Sequence, residues 1–288
     1  MLPMFRILPC CARHLARCAL PLISFLIVSP LLDAQTDQMN ALAGSVARVV
    51  LNSKQKIVVV SDFEGPGEWV TPLGMSLADE FTDDLSKSAS AFTVKPRDLV
   101  TSAVVQNGLA RSALKYPDIA LAIASQLGAK IIVLGQLDRD LDQGIGVTVD
   151  CYRLNSGKDI GRFRVLIPMS DSPQALLHGG ADEKRFAQVR HSPEPGTTPP
   201  VCLDCPNAAF TKAAAENKTS GVVLLSVVIG PDGSASEIYP VKALADGLTW
   251  SAAHTVHSWK FKPAMTADGE PVKVQQMIEV VFHIYQRP

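Results

Sequence analysis

Long basic runs are missing from this chain of 288 residues, and its formal net charge is −1. Phosphate binding needs concentrated lysine and arginine, so the composition argues against nucleic acid as a partner. A glycine-rich phosphate loop, a nucleophile elbow and a zinc-protease motif are missing too. Gly144-Ile145-Gly146 is too short for a dinucleotide fingerprint and reads as a turn into a strand. Without a convergent catalytic motif, the expectation is a binding protein, not an enzyme, with no cofactor and no resident metal. No internal repeat is visible. The composition is that of globular chains, and the length suits about two domains.

An apolar run long enough to span a bilayer is also lacking. Arg6, Arg13, His14 and Arg17 form a basic leader, followed by an uncharged stretch from Ala19 to Leu32 that contains Pro21 and Pro30. Its length of about 14 residues makes roughly 21 Å of helix, against a hydrocarbon core of about 30 Å. Residues 1–34 therefore read as a signal peptide cut after Ala34, with an uncleaved N-terminal anchor as the alternative. Cys18 precedes the apolar core, which argues against a lipoprotein. Cysteine is sparse beyond the leader, with Cys151, Cys202 and Cys205 alone. One thiol is left over if two of them pair.

Thr36 to Ser53 is mixed and reads as a short lead-in with some helical character. Lys56 to Phe63 is a β-branched run that stops at charge and Gly65-Pro66-Gly67, as a buried strand does. Thr71 to Lys87 is predicted as a helix. Thr71 suits the N-cap and Pro72 the first turn, and Leu73, Leu77, Phe81 and Leu85 fall on one face. Ala91 to Val94 is a short strand, and Asp98 to Gln106 and Pro117 to Leu127 are helices, the latter stopped by Gly128. Lys130 to Leu137, Ile145 to Leu154 and Asp159 to Ile167 complete a sheet, the last two joined by Asn155-Ser156-Gly157. This order predicts a mixed α/β layer domain over residues 54–168.

Residues 169–206 carry six prolines and little periodicity, and read as a linker with short helices near Gln174 to Leu177 and Glu183 to Val189. Residues 207–288 form the second domain. Asn207 to Asn217 is a short helix and Val222 to Ile229 a strand. Pro231-Asp232-Gly233 is a strong turn signal, and Ala235 to Leu244 is the return strand. Leu248 to Lys260 is a helix with Leu248, Ala252, Thr255 or Val256, and Trp259 inward, and Pro263 blocks its continuation. Asp268-Gly269 turns the chain into a long final strand, Val272 to Tyr285. Val272, Val274, Ile278, Val280, Phe282 and Ile284 share one face of it.

The run Gly221 to Ile229, the Pro231-Asp232-Gly233 turn, and Ala253 through Trp259-Lys260-Phe261-Lys262-Pro263-Ala264 with the closing strand resemble the TonB C-terminal domain. The resemblance spans about residues 197–286. It implies an α+β chain whose second domain is a β-β-α-β module with a last strand open at one edge. That edge receives an extended peptide, the TonB box of outer-membrane transporters. Carried over, the partner-binding residues are Val272, Val274, Gln276, Ile278, Val280 and Phe282, and proline at Val274 or Ile278 is expected to abolish binding. Trp259, Phe261, Pro263 and Gly233 are structural. Residues of about 55–168 resemble, more loosely, TolB N-terminal and FlgO-like periplasmic domains, through Asp62-Phe63, the Gly128 to Gly135 stretch and the meander.

The implied partner is an outer-membrane TonB-dependent transporter or another envelope protein. If the leader is retained, an inner-membrane motor complex joins it and the chain becomes an energy transducer. A homodimer is a further option. Several smaller features keep more than one reading. Cys202-Leu203-Asp204-Cys205 is a local disulfide in an oxidising compartment, or else a redox pair, half of a zinc site, or an inert reduced pair. His254, His257 and His283 are ordinary polar residues unless they converge on a metal. Asp62 and Glu64, and the set Asp138, Asp140 and Asp142, are solvated loop acids unless they serve catalysis or calcium.

Overall fold

The computed structural model describes residues 30–67, 69–140, 144–154, 159–168, 190–192 and 195–284. The leader as far as Ser29, Asp142, the Asn155-Ser156-Gly157 turn, the two helices expected between Gln174 and Val189, and Tyr285 lie outside them. No described helix is long and apolar enough to cross a membrane. Helices and mixed sheets together make the chain α+β.

The first sheet has the order β2-β1-β3-β4-β5. Its strands are β1 (Ile57–Glu64), β2 (Thr93–Val94), β3 (Ile131–Asp140), β4 (Gly144–Arg153) and β5 (Asp159–Ile167). β1 runs parallel to both β2 and β3, and β3, β4 and β5 form an antiparallel meander. The central strands are apolar on both faces because both faces are covered. Val58, Val60, Ile131 and Val133 meet one core, while Val59, Ile132 and Leu134 meet the other.

Helices α1 (Pro30–Ser53) and α2 (Pro72–Lys87) fill the first side. Thr71 caps α2 by accepting the Gly74 N–H, with Pro72 in the first turn. α1 is a full helix of 24 residues, not a short lead-in. Met39, Leu42, Ala43, Val46, Ala47 and Val50 recur at three- and four-residue steps and are all buried. Polar residues between them dilute the stripe in the sequence.

On the other side lie α3 (Arg97–Gln106), a 3-10 turn (Arg111–Lys115) and α4 (Pro117–Gln126). Asp138 and Asp140 belong to β3 and not to a following loop, and the Asp138 carboxylate pairs with Arg164 across the sheet.

The second sheet has the order β10-β9-β14-β6. It consists of β6 (Arg190–His191), β9 (Gly221–Ile229), β10 (Ala235–Lys242) and β14 (Val274–Phe282). The proline-rich segment is not a free tether at its C-terminal end. β7 (Thr197–Thr198) and β8 (Val201–Asp204) emerge from it and pair with β12 (Ala264–Thr266) and β11 (Lys260–Lys262). The paired stretches lie between prolines, which have no N–H for a ladder.

Helix α5 (Lys212–Asn217) is shorter than expected and is capped by Thr211. Helix α6 (Leu248–Ser258) stops before Trp259, whose backbone is already extended, so Lys260 opens β11 instead of closing the helix. Val272 falls in β13 (Pro271–Val272), which pairs with β12, so the long final strand is broken at Lys273.

The two sheets share one core. Ile119 and Ile123 of α4 join Leu248, Ala252 and Val256 of α6 and Val223, Leu225, Val227 and Ile229 of β9 in a continuous apolar cluster. Polar contacts fasten the seam. The Tyr116 hydroxyl donates to the Pro240 carbonyl, and the Gly247 N–H donates to Asp118 at 2.8 Å. Leu109 forms a single parallel bridge with Ile238, in which Ile238 donates to Gly108 at 2.8 Å and Ala110 donates to Ile238 at 3.0 Å.

Candidate functional site

β14 pairs with β9 in unbroken antiparallel register from Val274↔Ile229 to Phe282↔Gly221. Along a strand, side chains alternate between faces and backbone polar groups alternate between neighbours. Val274, Ile278, Val280 and Phe282 are all at most 8% exposed and face the core under α6. Met277 and Val281, at 44% and 50%, are open on the opposite face with Glu279 between them.

The backbone parity follows from the other neighbour. Ser192 of the β6 side donates to the Gln275 carbonyl at 2.9 Å, so Gln275 points away from β9. Two-residue periodicity then points the N–H and C=O of Met277, Glu279 and Val281 the same way. The Met277 carbonyl accepts the Gln276 side-chain amide at 3.1 Å, in keeping with that direction. Among the described residues, no strand lies beside β14 beyond Gln275.

The partner-binding residues expected from the sequence do not present their backbone groups along this edge. Val274, Gln276, Ile278, Val280 and Phe282 direct their backbone groups to β9, and Val272 is not in the strand at all. The residues whose backbone groups point away from β9 are Met277, Glu279 and Val281. Their alternation with the apolar set was visible in the sequence, but the side on which β9 would lie was not. For the same reason, proline at Val274 or Ile278 would break the inner ladder and unfold the domain instead of reporting on docking. The chain's own occupation of the first rungs, by Arg190 and His191 beside Val274 and Gln275, had no sequence signal.

The structural residues converge at the start of β11. Phe261 is buried, its ring 6.1 Å from that of Trp259, and Trp259 Nε1 donates to the Pro206 carbonyl at 3.0 Å. Trp259 thus ties the linker's end to the start of β11. Gly233 meets the Phe261 backbone, and Pro263 separates β11 from β12. Cys202 and Cys205 form a disulfide in and just after β8. Cys151 is a buried free thiol, pushed up to about 12 by burial first and by Asp159 and Asp150 second. A thiol held protonated in this way is a poor nucleophile.

The remaining candidates do not assemble. His257 lies against the Ala235 carbonyl at 3.0 Å, His254 stacks on Trp250, and His283 is exposed. Among the described residues, no group of three or more histidine, cysteine or acidic side chains stands together to hold a metal. Asp62 is occupied by arginines. Arg97 Nη2 bonds one of its oxygens, and Arg111 Nε lies 3.7 Å from the other.

No curated protein matches this sequence. Among solved structures, the LpoB C-terminal domain from Salmonella enterica aligns with 49% of this chain and 100% of its own, at 13% identity and a TM-score of 0.36. The TonB C-terminal domain of Pseudomonas aeruginosa covers 35% of this chain and 99% of its own, at 17% identity and a TM-score of 0.28. TolB from Acinetobacter baumannii covers 67% of this chain and 36% of its own, at 15% identity and a TM-score of 0.27. The family model that matches is the Gram-negative bacterial TonB protein C-terminal, over residues 206–284, and the second domain of this chain is of that type.

Proposed function

We propose that this chain is a periplasmic protein of the cell envelope that binds an extended segment of an outer-membrane partner by strand addition to β14. The observation that carries the reading is the outward row of backbone groups at Met277, Glu279 and Val281, beside two exposed apolar side chains. The family match over residues 206–284 supports the envelope setting. The role is binding and not catalysis.

Three edge residues offer up to about six hydrogen bonds, each contributing on the order of 1 kcal/mol net. Ordering the guest offsets much of that. Apolar contact with Met277 and Val281 supplies the rest, and the expected Kd is on the order of micromolar or weaker. Such affinity suits a contact that is made and released.

The test uses a photo-crosslinking residue at Val281 in envelope fractions, with and without Glu279→Pro. Proline at 279 deletes an outward N–H and leaves the β9 ladder whole. The reading expects capture of an outer-membrane protein through an extended segment, lost in the proline variant at unchanged melting temperature. Equal capture by both would sink it.

A further inference from the structure

The first two rungs of the β14 edge are held by the chain itself. Arg190 and His191 lie parallel to Val274 and Gln275, and Ser192 donates to the Gln275 carbonyl. Neighbouring strands sit about 4.8 Å apart, so a second chain cannot share those rungs while β6 is seated. Farther along, Thr197 and Thr198 of β7 pair with β12 and not with β14.

We infer that β6 acts as a fence that fixes where the guest strand begins, so the edge admits a short segment lying between Gln276 and Phe282. The inference rests on the docking reading above and adds the guest's length and chemistry. The window is about seven residues, or roughly 23 Å of extended chain. On the open face the guest runs past Met277, Glu279 and Val281. Apolar side chains beside the first and last bury exposed surface, and cross-strand pairing favours a basic side chain beside Glu279. The guest is therefore a heptad-length extended segment with one lysine or arginine flanked by apolar residues.

The edge is already primed for such a visitor at little structural cost. The Gln276 side chain caps only one lone pair of the Met277 carbonyl and swings aside freely, being half-exposed. Gln275, by contrast, is engaged on both sides. Its backbone accepts from Ser192 and its amide donates to Ser226 at 2.5 Å. Rung 275 is thus closed, and rung 277 is the first with no strand beside it among the described residues.

The experiment follows backbone amide exchange by NMR in the full chain. Two capped peptides are added, one of about seven residues with alternating valine and threonine around a central lysine, and one extended to about eleven. Expected are slowed exchange at Met277, Glu279 and Val281 with both peptides, retained protection at Ser192, and affinities equal within about twofold. Replacing the central lysine by glutamate weakens binding about fivefold, and Glu279→Lys reverses that preference. In Ser192→Pro the longer peptide gains at least about fivefold over the shorter. If the longer peptide binds the unaltered chain more than about tenfold tighter and Ser192 loses protection, the fence is refuted while docking at the edge stands. If neither peptide slows exchange at Met277, Glu279 or Val281 at millimolar concentration, the docking reading falls and the fence with it.

Discussion

Gly233 and Phe261 meet backbone to backbone. The Phe261 N–H donates to the Gly233 carbonyl at 3.0 Å, and a Cβ on Gly233 would stand 1.9 Å from the Phe261 carbonyl oxygen. With φ at 75°, the glycine also holds a left-handed conformation that side chains disfavour. The turn between β9 and β10 is thereby clamped to β11. Gly233→Ala must both strain that turn and push the neighbouring backbone away. The expected loss is about 3 kcal/mol of stability, read from urea unfolding. A loss below about 1 kcal/mol would show that the clamp yields.

Asp62, near the end of β1, belongs to an ion cluster that ties four elements together. Its carboxylate is 8% exposed and faces Arg97 from α3 and Arg111 from the 3-10 turn, while Arg97 Nε also reaches Asp79 of α2 at 3.1 Å. Asp62→Ala leaves two guanidinium groups short of a partner, one of them only 11% exposed. A loss of about 3 kcal/mol is expected in urea unfolding, with Asp62→Asn milder. A change within about 0.5 kcal/mol would mean that Asp79 and solvent suffice.

Asp118 couples the seam to pH. Burial pushes its carboxyl above the usual 3.8, the Gly247 N–H opposes this, and Asp246 adds to it. An acid whose folded pKa is raised binds its proton more tightly when folded. It therefore favours the fold below the unfolded value, and that contribution is lost as pH rises through the folded pKa. Asp118→Asn keeps an acceptor for Gly247 and removes the titration. The wild-type urea midpoint should fall relative to that of Asp118→Asn as pH rises above 3.8. Parallel pH curves for the two proteins would refute the coupling.

Much of the local structure was legible because its causes are local. Thr71 and Pro72 mark a helix start by their own chemistry, and Pro231-Asp232-Gly233 a turn. Helix α1 was read too short because its buried stripe from Met39 to Val50 is interrupted by polar and small residues. The seam between α4 and α6 joins residues more than a hundred positions apart, and nothing in either segment announces the other. The docking edge shows the limit most clearly. Alternation told which β14 side chains go inward, but the direction of the backbone groups depends on which flank β9 takes, and that is a property of the assembled sheet. Asp62 reads from the sequence as a solvated loop acid, whereas arginines from distant elements make it a fastening.

The bridge between Leu109 and Ile238 has a consequence for assembly. A β-layer can be propagated indefinitely only if each building block exposes two complementary rims, one to receive and one to offer. Here the rim along β10 is stoppered by the first domain of the same molecule. At Ile238 the molecule's own fold thus takes the place that a neighbouring copy's strand would need, which opposes propagation through this rim.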